Sequence, residues 1–142
     1  MTNVLEMNFK QIEAYQALNQ QLPIPMVQVV LGAPGSGKTA HAKSVLPRIV
    51  ATARGINESD VAVIVSRPSL RDSVEFTGVG IPQKDEDGQL VTRFSLPNLL
   101  EQINTALKTF KVALVILDEL SSADDDIQKA LADCLDPETR TL

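Results

Sequence analysis

Eight residues, Gly32-Ala33-Pro34-Gly35-Ser36-Gly37-Lys38-Thr39, have the types and spacing needed to hold a chain of phosphates. The glycines let the backbone curl with its N–H groups pointing inward, Lys38 brings a cation to the outer phosphates, and the Thr39 hydroxyl can ligate a divalent metal. A second constellation stands where the apolar run Val112-Ala113-Leu114-Val115-Ile116-Leu117 ends in two adjacent acids, Asp118-Glu119. An aspartate at such a strand end can hold Mg²⁺ through its water shell, and the glutamate beside it can activate a water for attack on a γ-phosphate. Two adjacent acids suit hydrolysis, whereas a kinase that passes phosphate to a substrate hydroxyl has less need of a dedicated water activator. The ligand implied is a nucleoside triphosphate with Mg²⁺. Lys38 and Glu119 are the candidate catalytic residues, and Thr39 and Asp118 the candidate metal ligands. Gly32, Pro34, Gly35, Ser36, Gly37, Lys38, Thr39 and Ala40 are the candidate nucleotide contacts. The plain alternatives are a Gly/Pro/Ser turn with an incidental lysine, and a solvated strand end feeding a helix.

Such a loop needs a strand to deliver it and a helix to carry the lysine away. The β-branched run predicts a first strand over Val27 to Leu31, and the helix that follows continues through Pro47 to a stop at Gly55. A second strand, Val61 to Val65, is apolar without a break, as when both faces of a sheet are covered, and Val112 to Leu117 makes the third. Ahead of them, Leu5, Phe9, Ile12 and either Gln16 or Tyr15 fall at helical spacing between Leu5 and Gln20. That helix ends at Pro23-Ile24-Pro25.

Between Arg67 and Arg93 the pattern is irregular, broken by Gly78, Gly80, Pro82 and Gly88 and holding the charged run Lys84-Asp85-Glu86-Asp87. A loop of this length is usually functional or disordered. The alternation in Leu90-Val91-Thr92-Arg93-Phe94 allows a short strand, half of a hairpin. Leu99, Ile103, Leu107 and Phe110 mark a helix face, with Lys108 and Lys111 at its negative end. Ser122 with Asp125 resembles a capping box, and Ile127, Ala130, Leu131 and Cys134 form the inward face of the helix after it.

Bulk properties bound the function. At 142 residues the chain is one domain's worth, with one core expected. Its 44% hydrophobic and 22% charged content are those of a soluble globular protein. No apolar run approaches the ~20 residues of a membrane span, and the first residues lack the layout of a secretory signal. A cytoplasmic setting is the expectation. The net charge of −5 argues against nucleic acid as a partner. Cys134, the single cysteine, reads as a small buried residue, and His41, the single histidine, as a packing or solvated residue on the helix after the loop.

The loop, the acidic strand end, and Ser121-Ser122 leading to Ile127-Gln128-Lys129-Ala130-Leu131 together resemble the N-terminal part of an AAA+ ATPase module, most closely the MoxR branch. Gln128-Lys129-Ala130-Leu131 matches that branch's core segment after the acidic pair. Arg71-Asp72-Ser73-Val74-Glu75-Phe76-Thr77-Gly78 resembles its stretch after the second strand. The resemblance implies an α/β fold, a P-loop three-layer sandwich with a parallel sheet, here incomplete, with about three core strands plus a hairpin. Residues 1–22 would be a helix packed on the domain and 23–142 the partial ATPase core. It implies ATP or ADP with Mg²⁺ as ligands and a ring, hexameric in most members, in which ATP hydrolysis remodels a protein client. Ser66 would restrain the base, residues near Leu22 to Met26 would approach the adenine, and the 67–93 region would face the channel or a partner.

The family's sheet order is 5-1-4-3-2. Its fourth strand, sensing residue, interface arginine and helical lid would all follow Leu142. In the kinase and GTPase division of phosphate-loop folds, by contrast, the first and third strands are neighbours. A nucleotide-dependent interaction module without turnover and a nucleotide or small-molecule kinase are the remaining readings.

Overall fold

The computed structural model describes residues 6–72 and 74–135. The first helix, α1 (Phe9–Asn19), is opened by a reciprocal cap. Asn8 Oδ1 accepts from the Gln11 N–H at 3.0 Å, and Gln11 Oε1 accepts from the Asn8 N–H at 2.9 Å, satisfying two of the donors a helix start leaves unpaired. Of the two candidates for its inward face it is Gln16, not Tyr15, that is buried, together with Asn19. Leu5 lies outside the described residues. α1 packs on the second helix, α2 (Lys38–Arg54), where the Phe9 ring stacks on His41 at 4.3 Å and His41 Nε2 stands 3.7 Å from Glu13 Oε1. The packing role expected for His41 is what the structure gives it.

α2 runs unbroken through the buried Pro47 and stops at Gly55, whose left-handed backbone lets the Gly55 and Ile56 N–H groups return to Thr52 and Ala51. Two strands, β1 (Val61–Ser66) and β4 (Val112–Leu117), pair in a small parallel sheet. At one end Lys111 N–H donates to the Asp60 carbonyl at 2.9 Å, and at the other Asp118 N–H donates to the Ser66 carbonyl at 2.8 Å. The chain is thus of mixed α/β type with a parallel pair. Between these strands lie a short helix α3 (Val74–Thr77), a hairpin of β2 (Gly80–Lys84) and β3 (Leu90–Phe94), and helix α4 (Asn98–Ala106); helix α5 (Asp125–Leu135) follows β4.

The hairpin expected from the 90–94 alternation forms with Gly80 opposite Phe94 and Lys84 opposite Leu90. Its base is closed by Ser95, which takes a bond from Val79 N–H on Oγ and returns one from its own N–H to the Val79 carbonyl. A side chain at Gly78 would collide with the Ser95 carbonyl, so only glycine fits this approach.

Four expectations need correction. Val27 to Leu31 joins neither sheet, and its apolar side chains are exposed, Val29 at 76% and Leu31 at 68%. A strand needs a neighbour to take its backbone bonds, and among the described residues no strand lies beside this run. The core sheet therefore has two strands, not three. In β1 only Val61 and Ala62 are buried, so the unbroken apolar run is not covered along its whole length. Lys108 and Lys111 fall beyond the end of α4, and Lys111 binds the Asp60 carboxylate at 2.8 Å instead of the helix terminus. Finally, Ser122 sits in a 3₁₀ turn (Leu120–Ser122), and α5 takes its first bonds at Asp124 from Ile127 and Gln128, so the Ser122–Asp125 box does not form.

By packing, the described residues fall into two units, one up to Val63 with Thr109–Ile116 and one of Ile64–Lys108 with the residues from Leu117. In the first, Val50, Ala51 and Val61 form a core joined by Ile56, Val112 and Leu114. In the second, Phe76, Ala123, Ile127 and Leu131 do so, joined by Leu99, Leu117, Leu120 and Ala130. Two clusters thus replace the single core expected from length. Ile127, Ala130 and Leu131 form the inward face of α5 as their spacing predicts; the surroundings of Cys134 lie outside the described residues. Among those residues no helix is long and apolar enough to cross a membrane.

Candidate functional site

The phosphate-type loop lies in the first unit. Gly35 and Gly37 take φ of 75° and 84°, a backbone that side-chain-bearing residues rarely adopt. That lets the chain turn twice within three residues and enter α2 at Lys38, with the Gly37 carbonyl accepting the first helical bond from His41 N–H at 2.8 Å. The N–H groups of this first turn are the ones a helix cannot pair internally, and they carry the positive end of its dipole.

Lys38 folds over the loop. Its Nζ donates to the Gly32 and Ala33 carbonyls, both at 2.8 Å, and to Ser36 Oγ at 3.3 Å. A Cβ at Gly32 would stand 3.4 Å from Lys38 Cδ, in ordinary contact with the lysine stem. An ammonium drawn to three oxygens inside a glycine loop stands where a phosphate group would compete for it. Thr39 is half-buried on the first turn, and Pro34 and Ala40 are exposed on either side.

The acidic pair lies in the second unit. The ladder bond from Asp118 N–H to Ser66 carries the parallel strands one residue past β4 and sets Arg67 beside Asp118. Arg67 Nε approaches Asp118 Oδ2 at 3.5 Å, with the aspartate side chain 17% exposed and the arginine 56%. Glu119 follows at φ 57°, ψ 33°, the one non-glycine with positive φ among the described residues. Holding a side-chain-bearing residue there costs about 1–2 kcal/mol, and such outliers concentrate at functional sites. Its carbonyl accepts from Ser122 N–H at 3.0 Å, which closes the turn, and its side chain is exposed.

No family model, curated protein or solved structure matches this chain.

The structure brings Gly32, Ala33, Ser36 and Lys38 into one cluster, and Ser66, Arg67 and Asp118 into another. Ser66 meets the acidic strand end through its backbone carbonyl. A cavity of about 10 Å³ in the second unit, lined in part by Ser66, Arg71, Glu75 and Asn98, has room for one water and is no nucleotide site. Among the described residues no group of three His, Cys, Asp or Glu side chains could hold a metal by itself. Mg²⁺ bound with a nucleotide does not need one, since it takes one or two protein oxygens and fills its shell with water and phosphate. The Asp118 carboxylate in the second unit and, separately, the Thr39 hydroxyl in the first are oxygen donors of that kind, and the carboxylate already draws a cation, the Arg67 guanidinium.

Two residues escaped the sequence reading. Arg67 had a signal, a basic residue straight after an apolar strand whose parallel neighbour ends in acid. Asn19 had none beyond being polar on an inward helix face. Its amide clamps Met26 from both sides, Nδ2 to the carbonyl at 2.9 Å and Oδ1 from the N–H at 3.0 Å, which fixes the start of the run that leads to the loop.

Proposed function

We propose that the chain binds ATP with Mg²⁺ and hydrolyses it, as part of a MoxR-like AAA+ ring that acts on a protein client in the cytoplasm. The observation that carries this reading is the loop, where two left-handed glycines open a helix and Lys38 is held over backbone carbonyls at 2.8 Å. On this reading the finer fold is the phosphate-loop sandwich. The N–H groups of residues 35–40 bind the β- and γ-phosphates, and Lys38 exchanges its carbonyl partners for phosphate oxygens. Mg²⁺, when bound, neutralises charge developing on those oxygens. Asp118 and Thr39 hold the ion, and Glu119 takes the proton of the attacking water.

Glu119, exposed beside the metal-holding acid, favours hydrolysis over a kinase, which has less need of a dedicated water activator.

The test is ATP affinity and phosphate release. Lys38→Ala is expected to weaken ATP binding about 100-fold or more, the loss of a charge-assisted contact to phosphate. Glu119→Gln is expected to keep affinity within about twofold while phosphate release falls about 100-fold or more. Undiminished ATP affinity in Lys38→Ala would overturn the proposal.

A further inference from the structure

We propose that Arg67 is a positioning residue for Asp118, a cation that occupies and orients the carboxylate until a divalent metal displaces it. This inference rests on the reading of Asp118 as the metal-holding acid and adds a control on that same site.

The backbone of Arg67 is fixed. Pro68, which follows it, restricts it to extended conformations, and Arg67 shows φ −113° and ψ 90° with its carbonyl accepting from Leu70 N–H at 3.0 Å. Pro68 is among the most deeply buried side chains of the protein, and its 3₁₀ turn (Pro68–Leu70) packs on the one at Leu120–Ser122. The base of the arginine is therefore anchored by its own turn against the turn that follows the acids. Its side chain is not anchored. More than half of it is exposed, and its Nε stands 3.5 Å from Asp118 Oδ2, longer than the roughly 2.7–2.9 Å of a strong charge-assisted bond.

That combination describes a replaceable counter-ion. The carboxylate is mostly enclosed, so a neighbouring positive charge keeps it aimed along the strand end in the absence of metal. The contact is long and solvent-facing, so it yields to a divalent ion that binds oxygen more strongly. The guanidinium then swings into water without disturbing Pro68.

The experiment is a MgCl₂ titration of ATP affinity by calorimetry, with a companion measurement of ATP affinity in EDTA. Arg67→Ala is expected to lower the Mg²⁺ concentration at half-effect about fivefold, the ratio an exposed ion pair gives, and to leave Mg²⁺-free affinity unchanged. Arg67→Lys, which keeps the charge, is expected to stay within about twofold of wild type. Arg67→Gln retains the aliphatic stem and gives the same readout should alanine disturb the turn. An unchanged or raised Mg²⁺ midpoint in both neutral variants overturns the inference while leaving the proposed function standing. Wild-type protein whose ATP affinity ignores Mg²⁺ would instead remove the metal-holding role of Asp118.

Discussion

Two apolar runs of nearly the same make-up, Val27-Gln28-Val29-Val30-Leu31 and Val112 to Leu117, lead into the two chemically loaded turns, yet only the second is a strand. β4 has β1 beside it, and Val112 and Leu114 rest on the core of Val50, Ala51 and Val61. The earlier run is held at its start by the Asn19 clamp on Met26, but it lacks a ladder, and most of its side chains are exposed. What separates them is not propensity. Strand structure is a property of a pair, so an apolar run becomes a strand only where a neighbour accepts its backbone bonds and covers a face.

The sharpest way to break this contrast is to put a charge in each run. Leu114→Asp is expected to destabilise the protein by about 3 kcal/mol or more, because it sets an unpaired carboxylate against an apolar core. Val29→Asp, at a position 76% exposed, is expected to change stability by less than about 0.5 kcal/mol. Denaturant titration of the two variants measures the difference. Equal losses would mean that 27–31 is covered in solution and that the contrast is false.

The same principle explains what could be read in advance. The loop was legible because its chemistry is local: two glycines with left-handed backbone, a lysine and a hydroxyl at fixed offsets fold into a turn whatever surrounds them. The start and stop of α2 were legible for the same reason, and so was the hairpin half at 90–94, where alternation sets the register. The pairing partner of 27–31 was not, since it depends on a surface elsewhere. Nor was the destination of Lys111, which looked like a charge for a helix end and instead pins Asp60, because the helix stopped at Ala106 and left the lysine outside it. Arg67 was passed over because its meaning depends on which strand lies beside β1.

The two turns that follow the runs differ as well. The first meets the demand for left-handed backbone with glycine, Gly37 at φ 84°, while the second keeps a side chain there, Glu119 at φ 57°. Opposite substitutions should therefore have opposite signs. Gly37→Ala is expected to cost about 1 kcal/mol, all of it backbone strain, since an added Cβ meets nothing within 4 Å. Glu119→Gly is expected to gain about 0.5–1 kcal/mol by releasing that strain, and to do so at the expense of the carboxylate proposed to take a proton from water. Thermal or denaturant midpoints decide it. A loss of stability in Glu119→Gly would show that its turn is not strained, and the contrast between the turns would disappear.

The smallest expected effect concerns how β4 is held at its start. Lys111 Nζ donates to Asp60 Oδ2 at 2.8 Å, and this bond is the main reason the Asp60 carboxyl sits below its ordinary value of 3.8. The lysine's charge and the Asn57 N–H add to the lowering, and desolvation opposes it. Because the carboxylate is favoured in the folded protein, its contribution is fully present above the unfolded value. It is lost as pH falls through the lower folded one. Wild type should thus exceed Asp60→Asn in denaturation midpoint at pH 7, with the gap closing on acidification below about pH 3.8. High salt should narrow it at neutral pH, since the lysine is well exposed. A gap that persists undiminished at pH 2 would assign the anchoring of β4 to the backbone bond from Lys111 N–H to the Asp60 carbonyl. The paired run and the unpaired one would then both be held at their starts by uncharged hydrogen bonds, and only the ladder would distinguish them.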